Sequence, residues 1–409
     1  MFGKSQAPPL FVAIPMLTVF FITPVIAQDA VGSWHPIKNI PNCEFWYTND
    51  DTNSRDYEAP TWSGSCLDGY IHGQGTLEQP FGHFQGNFIK GKLQGHGVLK
   101  GTIEHKDGPR TGVYEGDFKD SVFNGKGVFE GDVVRDGKHI HFHYEGEFRN
   151  GSPFGHGVMD SEGNMHYEGG FKDGMLNGYG TKSVPGKFEY EGEFKDDEFD
   201  GHGTLSVPNK FEYEGTFQDG KFNGKGILAY TNSFRYEGDF KNGKSNGRGI
   251  IEYADGAHYE GEFKKGWVSG KGIWVLANGD RYEGVFAKNK LQGRGTFIGV
   301  DGRHYEGEFK DNDFNGHGVI SFLNGARYEG NFINGQLQGH GLIEWLDRSY
   351  YKGEMKDSAP LGHGVMTLSD GRTCEGEWQG LKIIGIGSGH ISGVEKSCFM
   401  NGENITFSK

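Results

Sequence analysis

Histidines are concentrated in the stretch 139–143, which reads HIHFH. If this stretch is a strand, its side chains alternate between two faces and the three imidazoles share one of them. A His-x-His pair on a strand is a common start to a transition-metal site. The candidate ligands are His139, His141, His143 and, 23 residues later, His166. Same-face residues of a straight strand lie about 6.6 Å apart, so a third ligand would need curvature. A solvated row of histidines is therefore favoured over a metal site, and no cofactor is expected.

Four cysteines lie in two pairs near the ends of the chain. Cys43 and Cys66 are 23 residues apart, and Cys374 and Cys398 are 24 residues apart. An even number of cysteines in an exported protein predicts disulfides, and of three possible pairings the local one is favoured. Loops of this length contribute roughly 3 kcal/mol each in the chain-entropy model. The alternative is one zinc site built from all four, which would need both ends to meet and lacks a C-x-x-C spacing.

The N-terminal segment predicts export. Residues 10–27 read LFVAIPMLTVFFITPVIA, follow Lys4 and end at Ala27 before Gln28. A positive start, an apolar middle and a small residue before the cut are typical of a signal peptide, so we expect a periplasmic or secreted protein. An uncleaved anchor is the alternative. It is less favoured because about 18 residues is the lower limit for spanning a bilayer and two prolines interrupt the run.

Charge and composition exclude several classes of protein. The formal net charge is −14 and becomes −15 when Lys4 is removed, so the chain does not attract nucleic acid or anionic lipid by charge alone. Of 409 residues, 71 are glycine, whereas all hydrophobic residues together make up only 34%. Aliphatic residues are too scarce for a TIM barrel or a doubly wound sheet, and the 14% aromatic content argues against disorder.

The glycines follow a period of 23 residues. Fourteen repeats begin at Trp62, Phe84, Tyr114, Tyr144, Tyr167, Tyr190, Tyr213, Tyr236, Tyr259, Tyr282, Tyr305, Tyr328, Tyr351 and Cys374. Counted from its first residue, a typical repeat has an aromatic residue at position 1, glycine at 3, phenylalanine at 5 and glycines at 12 and 14. The pattern is defined by Tyr144, Gly146, Phe148, Gly155 and Gly157, by Tyr236, Gly238, Phe240, Gly247 and Gly249, and by Tyr305, Gly307, Phe309, Gly316 and Gly318.

Each repeat is predicted to be a β-hairpin. Positions 1, 3 and 5 share one face of a strand, while the mostly charged positions 2, 4 and 6 share the other. Asn-Gly or Asp-Gly near position 20 is a strong turn signal. A run of such units makes a solenoid, because one unit cannot bury enough apolar area to fold alone. The bare glycines are expected to let aromatic rings of a neighbouring hairpin lie against the backbone.

The repeats resemble the MORN (membrane occupation and recognition nexus) repeat. The resemblance rests on YEG-x-F followed by G-x-G and covers roughly residues 62–388. Cys43 and the segment 62–66, which reads WSGSC, are similar to the start of exported members. The family implies an elongated single-layer stack of antiparallel β-hairpins, and it implies lipid binding, dimerisation or scaffolding. Catalytic members resemble this chain only in the repeats, and no stretch here could house their separate catalytic domains.

Charged positions also recur. Glutamate is common at position 2, and position 13 is His, Lys or Arg in eleven of the fourteen repeats. Such rows could bind cations or a basic partner. The favoured interpretation is a charge-balanced wet face in which bases of the second strand lie beside acids of the first.

The predicted fold is therefore all-β, an elongated single-layer solenoid of about fourteen hairpins. The predicted boundaries are a signal peptide at 1–27, an N-terminal cap with a polar loop at 28–61, the solenoid at 62–387 and a C-terminal cap at 388–409. The favoured function is a non-enzymatic exported scaffold that binds protein or associates as a homodimer, with no nucleic-acid partner. The first alternative is a membrane-surface phospholipid-binding protein. The second, less favoured, is an enzyme with its site on an aromatic groove.

Overall fold

The computed structural model describes residues 33–47, 58–80, 82–103, 110–135, 138–384, 386–391, 394–401 and 404–407. The predicted signal peptide, the polar loop at 48–57 and the side chain of His139 lie outside them. Every regular element in these ranges is a strand, which confirms the all-β prediction. No helix in the described part of the chain is long and apolar enough to cross a bilayer.

The chain forms two compact units that divide between Phe222 and Asn223. The strands of the first unit are β1 (Ser33–Pro36), β2 (Glu44–Tyr47), β3 (Thr61–Trp62), β4 (Ser65–Leu67), β5 (Tyr70–Gln79), β6 (Gly82–Ile89), β7 (Lys92–Ile103), β8 (Arg110–Lys119), β9 (Val122–Arg135), β10 (Lys138–Arg149), β11 (Ser152–Ser161), β12 (Met165–Lys172), β13 (Met175–Val184), β14 (Phe188–Lys195), β15 (Glu198–Val207) and β16 (Phe211–Gln218). The division itself falls within β17 (Lys221–Tyr230).

The second unit continues the same element type. Its strands are β18 (Phe234–Lys241), β19 (Lys244–Tyr253), β20 (His258–Lys264), β21 (Trp267–Val275), β22 (Arg281–Ala287), β23 (Lys290–Ile298), β24 (His304–Lys310), β25 (Asp313–Ser321), β26 (Arg327–Ile333), β27 (Gln336–Glu344), β28 (Tyr350–Lys356), β29 (Ala359–Thr367), β30 (Thr373–Gln379), β31 (Lys382–Ile383), β32 (Gly387–Ile391), β33 (Val394–Asn401) and β34 (Asn404–Phe407). Within each unit, consecutive repeat strands pair antiparallel, as β14 does with β15 and β24 with β25.

The hairpin of the repeat that begins at Tyr190 shows why the sequence folds this way. A two-residue turn, Asp196 and Asp197, takes the positive φ values of 48° and 72° that aspartate tolerates better than most residues. The pairing between Gly192 and Gly203 is followed by a β-bulge. Gly201 lies beside this bulge with a φ of 81°, a conformation that favours glycine over residues with a Cβ.

One face of each hairpin is an aromatic core. A Cβ added to Gly192 or Gly203 would lie 2.6 and 2.5 Å from the hydroxyl of Tyr190, so the ring covers both glycines. The Tyr190 hydroxyl donates a hydrogen bond to the Glu193 carbonyl at 2.8 Å, and its ring stacks on Phe199 with centroids 3.8 Å apart. The expectation that a neighbouring hairpin supplies the covering ring is wrong for these repeats. The covering ring comes from the same hairpin, since the hydrogen bond from its hydroxyl to the carbonyl three residues later holds the ring over its own strand.

A different arrangement is found in the last repeat, where Ile383 points at Gly376, and in three others. Those that begin at Phe84, Tyr282 and Tyr328 share a Leu-Gln-Gly sequence at positions 10–12. Their buried leucines, Leu93, Leu291 and Leu337, point at the position-3 glycine in place of the aromatic ring. In the repeats that begin at Phe84 and Tyr282, a ring of the next hairpin does approach the position-14 glycine. A Cβ placed on that glycine would lie 3.3 Å from the phenylalanine of the next hairpin, which is the arrangement that the sequence predicts for all repeats.

The two local disulfides are present. Cys43 is bonded to Cys66, and Cys374 is bonded to Cys398. At the N-terminal end, the Asn39 side chain donates to the carbonyl of Trp62 at 2.8 Å and accepts from its N–H at 2.9 Å. These two bonds satisfy backbone groups of β3 that would otherwise form an open strand edge. The domain boundaries drawn from the sequence stay predictions.

Candidate interaction surface

The face opposite the aromatic core carries charged side chains in rows. Each position-13 residue pairs across the sheet with position 4 of the following repeat. The pairs include His96 with Asp117, Lys126 with Glu147, Lys225 with Asp239, Arg248 with Glu262, Arg294 with Glu308, His340 with Glu354 and His363 with Glu377. The predicted neighbourhood of bases and acids is therefore confirmed for seven of the eleven basic residues, whereas the other four pair with a residue that is not acidic, namely His156 with Gly170, His202 with Thr216, Lys271 with Val285 and His317 with Asn331. The acid belongs to the next repeat, a register that the sequence left open.

The position-4 acids also bind the backbone. The Asp239 carboxylate accepts the Arg248 N–H at 3.0 Å, and the Lys225 ammonium binds its other oxygen at 2.9 Å. The hydrogen bond from Lys225 holds the pKa of Asp239 below its usual range. Glu193 likewise accepts the His202 N–H at 3.2 Å. These acids satisfy a backbone donor next to the bulge, so they stabilise the hairpin whether or not a partner binds.

The position-2 glutamates are arranged differently. Glu260, for example, lies between Ile250 of one neighbouring strand and Ile273 of the other. Glutamate and aliphatic side chains therefore alternate across the strands of the exposed face. The pair Arg281–Glu283, at 2.6 Å, is one of several partly exposed ion pairs in this row, and such pairs are worth about 0–1 kcal/mol. The position-2 row thus combines exposed charge with exposed apolar area.

The structure separates the four candidate metal ligands. His141 and His143 lie on β10 beside Glu130 of β9, whereas His166 lies on β12 and binds Asp160 through Nδ1 at 2.7 Å. The backbone of His139 continues β10 away from His141. Among the described side chains, no three His, Cys, Asp or Glu groups already surround a common point as they would around a bound ion.

A row of exposed aliphatic side chains follows the turns of the second unit. Val300, Leu323 and Leu346 are 68%, 83% and 76% exposed and occupy position 19 of three successive repeats. Leu323 lies against Gly302 of the preceding turn, and Leu346 lies in the same way against Gly325. We call these three residues the turn row. Sequence reasoning missed it, although an aliphatic residue before Asp-Gly, Asn-Gly or Asp-Arg was a visible signal.

Sequence reasoning also missed a buried lysine. Lys182 occupies position 16, where every other repeat except the last has a large apolar residue, and it pairs across the sheet with Tyr167 and Tyr190. It is only 2% exposed. Burial lowers the pKa of its ammonium to about 8, and the Asp197 carboxylate opposes part of that shift. Burial raises the pKa of Asp197 to about 6.

The tyrosines that cover the paired glycines are not accessible to a substrate. Tyr190, Tyr213 and Tyr305 are fully buried, and burial raises the pKa of each hydroxyl well above its ordinary value. Their hydroxyls are occupied by backbone carbonyls at 2.8–2.9 Å. These rings therefore pack the hairpins together.

The family profile described as MORN repeat matches most of the repeat region. The matched residues are 84–103, 114–132, 144–165, 167–183, 190–210, 213–234, 236–258, 259–281, 282–302, 305–327, 328–349 and 351–371. These twelve segments correspond to twelve of the fourteen predicted repeats. The outermost two, which begin at Trp62 and Cys374, carry the cysteine substitutions. A search of curated proteins returns no match. Because the twelve segments cover more than half of its residues, the chain belongs to the MORN-repeat family.

Proposed function

We propose that this chain is an exported, non-enzymatic scaffold whose charged hairpin face binds a protein partner. The repeats themselves indicate a scaffold or binding surface. The position-2 row is the observation that supports a protein partner. It presents exposed glutamates between aliphatic side chains, whereas the position-4 acids already bind backbone N–H groups. The disulfides at Cys43 and Cys374 are compatible with an oxidising compartment outside the cytoplasm.

The row suits a protein partner for a physical reason. Specific interfaces combine apolar contact with a few well-placed polar groups, and the alternation of Glu260 with Ile250 and Ile273 supplies both. Glu260 and Glu306 form no ion pair among the described side chains, so a partner's base could bind them without displacing an internal one. A self-associated homodimer is one form that this binding could take.

The experiment is a cross-linked pull-down of the tagged protein from its own compartment. We expect wild type to recover a specific partner and Glu260→Lys/Glu306→Lys to recover at least about fivefold less, because like charges at an interface repel. Glu162→Lys, an exposed turn residue, is the control and should bind normally. Native mass spectrometry of the same samples shows whether the partner is a second copy. Equal recovery by both variants would contradict the proposal.

A second candidate function is attachment to a phospholipid surface, and the turn row favours it. Its three aliphatic side chains protrude from successive turns and are 68–83% exposed. In the Val300 turn the Asp301 carboxylate is paired with Arg303 at 2.7 Å. Turn residues of this kind could insert into the interfacial region of a bilayer without needing anionic headgroups.

Liposome sedimentation tests this second function. We expect the protein to bind phosphatidylcholine vesicles at physiological salt. Leu323→Asp/Leu346→Asp should weaken binding about tenfold or more, because each buried leucine contributes about 2 kcal/mol. Ile333→Asp removes an exposed aliphatic residue outside the turn row and should bind like wild type. If wild type stays in the supernatant, the lipid function is wrong.

A further inference from the structure

Two long strands of the first unit bring imidazoles and carboxylates together outside the position-2 row. The strands β9 and β10 have 14 and 12 residues, longer than the other repeat strands apart from β7, and they extend the hairpin beyond its usual length. On this extension His141 pairs directly with Asp132, and His143 pairs directly with Glu130. All four side chains lie on one face, because each partner is two residues from the next along its strand.

Glu130 lies between the two histidines. Its Oε1 is 3.7 Å from Nε2 of His141, and its Oε2 is 3.9 Å from Nδ1 of His143. Nitrogen and oxygen ligands bind Zn²⁺ at about 2.0–2.2 Å, so two ligands of one ion stand about 3–4 Å apart. Each measured separation falls in that range, with each histidine facing a different oxygen of the carboxylate. The third ligand, which a straight strand could not supply, therefore comes from the neighbouring strand.

Asp132 fixes the nitrogen that faces Glu130. Its Oδ1 lies 3.0 Å from Nδ1 of His141. A carboxylate can only accept, so Nδ1 carries the proton and the lone pair of a neutral imidazole is on Nε2. The Nε2 atom is the one directed at Glu130. Carboxylates hold the imidazole in this way at many metal sites, where they orient the ring and increase its basicity.

We propose that His141, His143 and Glu130 bind one divalent first-row transition ion, with Asp132 positioning His141. The three ligands are held in pairs in the metal-free state, and the ion draws them to a common point. Only side-chain torsions need to change, because the direct cross-strand pairs already place the Cβ atoms of His143 and Glu130 about 5 Å apart. The side chains are at least one-third exposed, so the surrounding protein leaves room for them to move.

The ligand chemistry sets the selectivity. Two imidazoles and one carboxylate favour Cu²⁺ over Zn²⁺, following the usual order of affinity for divalent ions. Mg²⁺ and Ca²⁺ prefer all-oxygen sites and should not compete at equal concentration. The ligand set thus differs from the histidine-only set suggested by the sequence. His166 is excluded because β11 separates β12 from β10, and Asp160 already binds its Nδ1.

Isothermal titration of the full chain with CuCl₂ and with ZnCl₂, in a non-chelating buffer near pH 7.4, tests the site. We expect one tight equivalent, stronger for Cu²⁺, with nitrogen coupling in the Cu²⁺ electron paramagnetic resonance spectrum. His141→Ala and His143→Ala should each weaken this equivalent about tenfold or more. Asp132→Asn should weaken it about tenfold while nitrogen coupling remains, because it removes orientation rather than a ligand.

His363→Ala is the matched control. The His363 ring also lies between two carboxylates, 3.0 Å from Glu375 and 3.7 Å from Glu377, but no second imidazole shares them among the described side chains. Its removal should leave the tight equivalent unchanged. Equal weakening by His363→Ala and His141→Ala, or no binding of either metal below about 100 μM, would overturn the proposal. Circular dichroism of each variant confirms that exposed substitutions leave the fold intact.

Discussion

Replacing Tyr305 by alanine is expected to lower the free energy of unfolding by about 3–5 kcal/mol, the usual cost of removing a large buried ring. Tyr305 is 0% exposed. Its ring stacks on Phe314 at 3.8 Å and meets Phe309 and Phe332 edge-on at 5.2 and 5.3 Å. Its hydroxyl donates to the Glu308 carbonyl at 2.9 Å. Alanine would leave a cavity over two glycines that have no side chains to fill it.

The next repeat supplies the control for this experiment. Tyr328 begins a Leu-Gln-Gly repeat, where the fully buried Leu337 covers the position-3 glycine instead. Tyr328 is only partly buried and meets Phe322 at 4.9 Å. We therefore expect Tyr328→Ala to cost about 1–2 kcal/mol. Urea denaturation of both variants, followed by circular dichroism, measures the difference. An equal loss of unfolding free energy in both variants would show that covering the glycines with the Tyr305 ring does not stabilise the protein.

Replacing Lys182 by methionine is expected to raise the free energy of unfolding at neutral pH by an amount on the order of 3 kcal/mol. The ammonium is buried among aromatic rings, and its pKa of about 8 in the folded state lies below its ordinary value. Between pH 8 and about 10.5 the Lys182 side chain holds its proton more tightly in the unfolded chain than in the folded one, so its unfavourable contribution to wild-type stability shrinks as the pH rises across that window. This cost of burying the charged Lys182 side chain is fully present below pH 8. Methionine removes both the cost and its dependence on pH.

Asp197 must be replaced together with Lys182. Without Lys182 its half-buried carboxylate loses a nearby positive charge, which would mask part of the gain. The double variant Lys182→Met/Asp197→Asn avoids this, because Asn289 and Asn312 occupy the same turn position elsewhere and accept the equivalent backbone N–H. The stability of wild type and of the double variant is compared at each pH from 7.5 to 9.5, so that ionisation of tyrosines in the unfolded chain, which begins within this range, affects both proteins alike. A double variant less stable than wild type at pH 7.5 would show that the charged pair is favourable.

Much of the fold could be read from individual residues. The alternation of Tyr, Gly and Phe with charged residues is a local signal for a strand, and paired turn residues such as those at Asp196 mark a hairpin. The local disulfides followed from the placement of Cys43 and Cys374 in terminal repeats. The candidate site was less accessible. Whether His141 meets His166 or Glu130 depends on which strands are neighbours, and that is a non-local property.

The sequence by itself determined that this protein is a run of β-hairpins with one aromatic and one charged face, because side-chain alternation and turn chemistry act within a few residues. Only the tertiary structure decided the register. The pairing of β23 with β24 runs without a bulge and places Arg294 opposite Glu308 of the next repeat, a register that the residue pattern does not encode. The tertiary structure also decided which ring covers which glycine and that Lys182 is buried, because both depend on packing between strands.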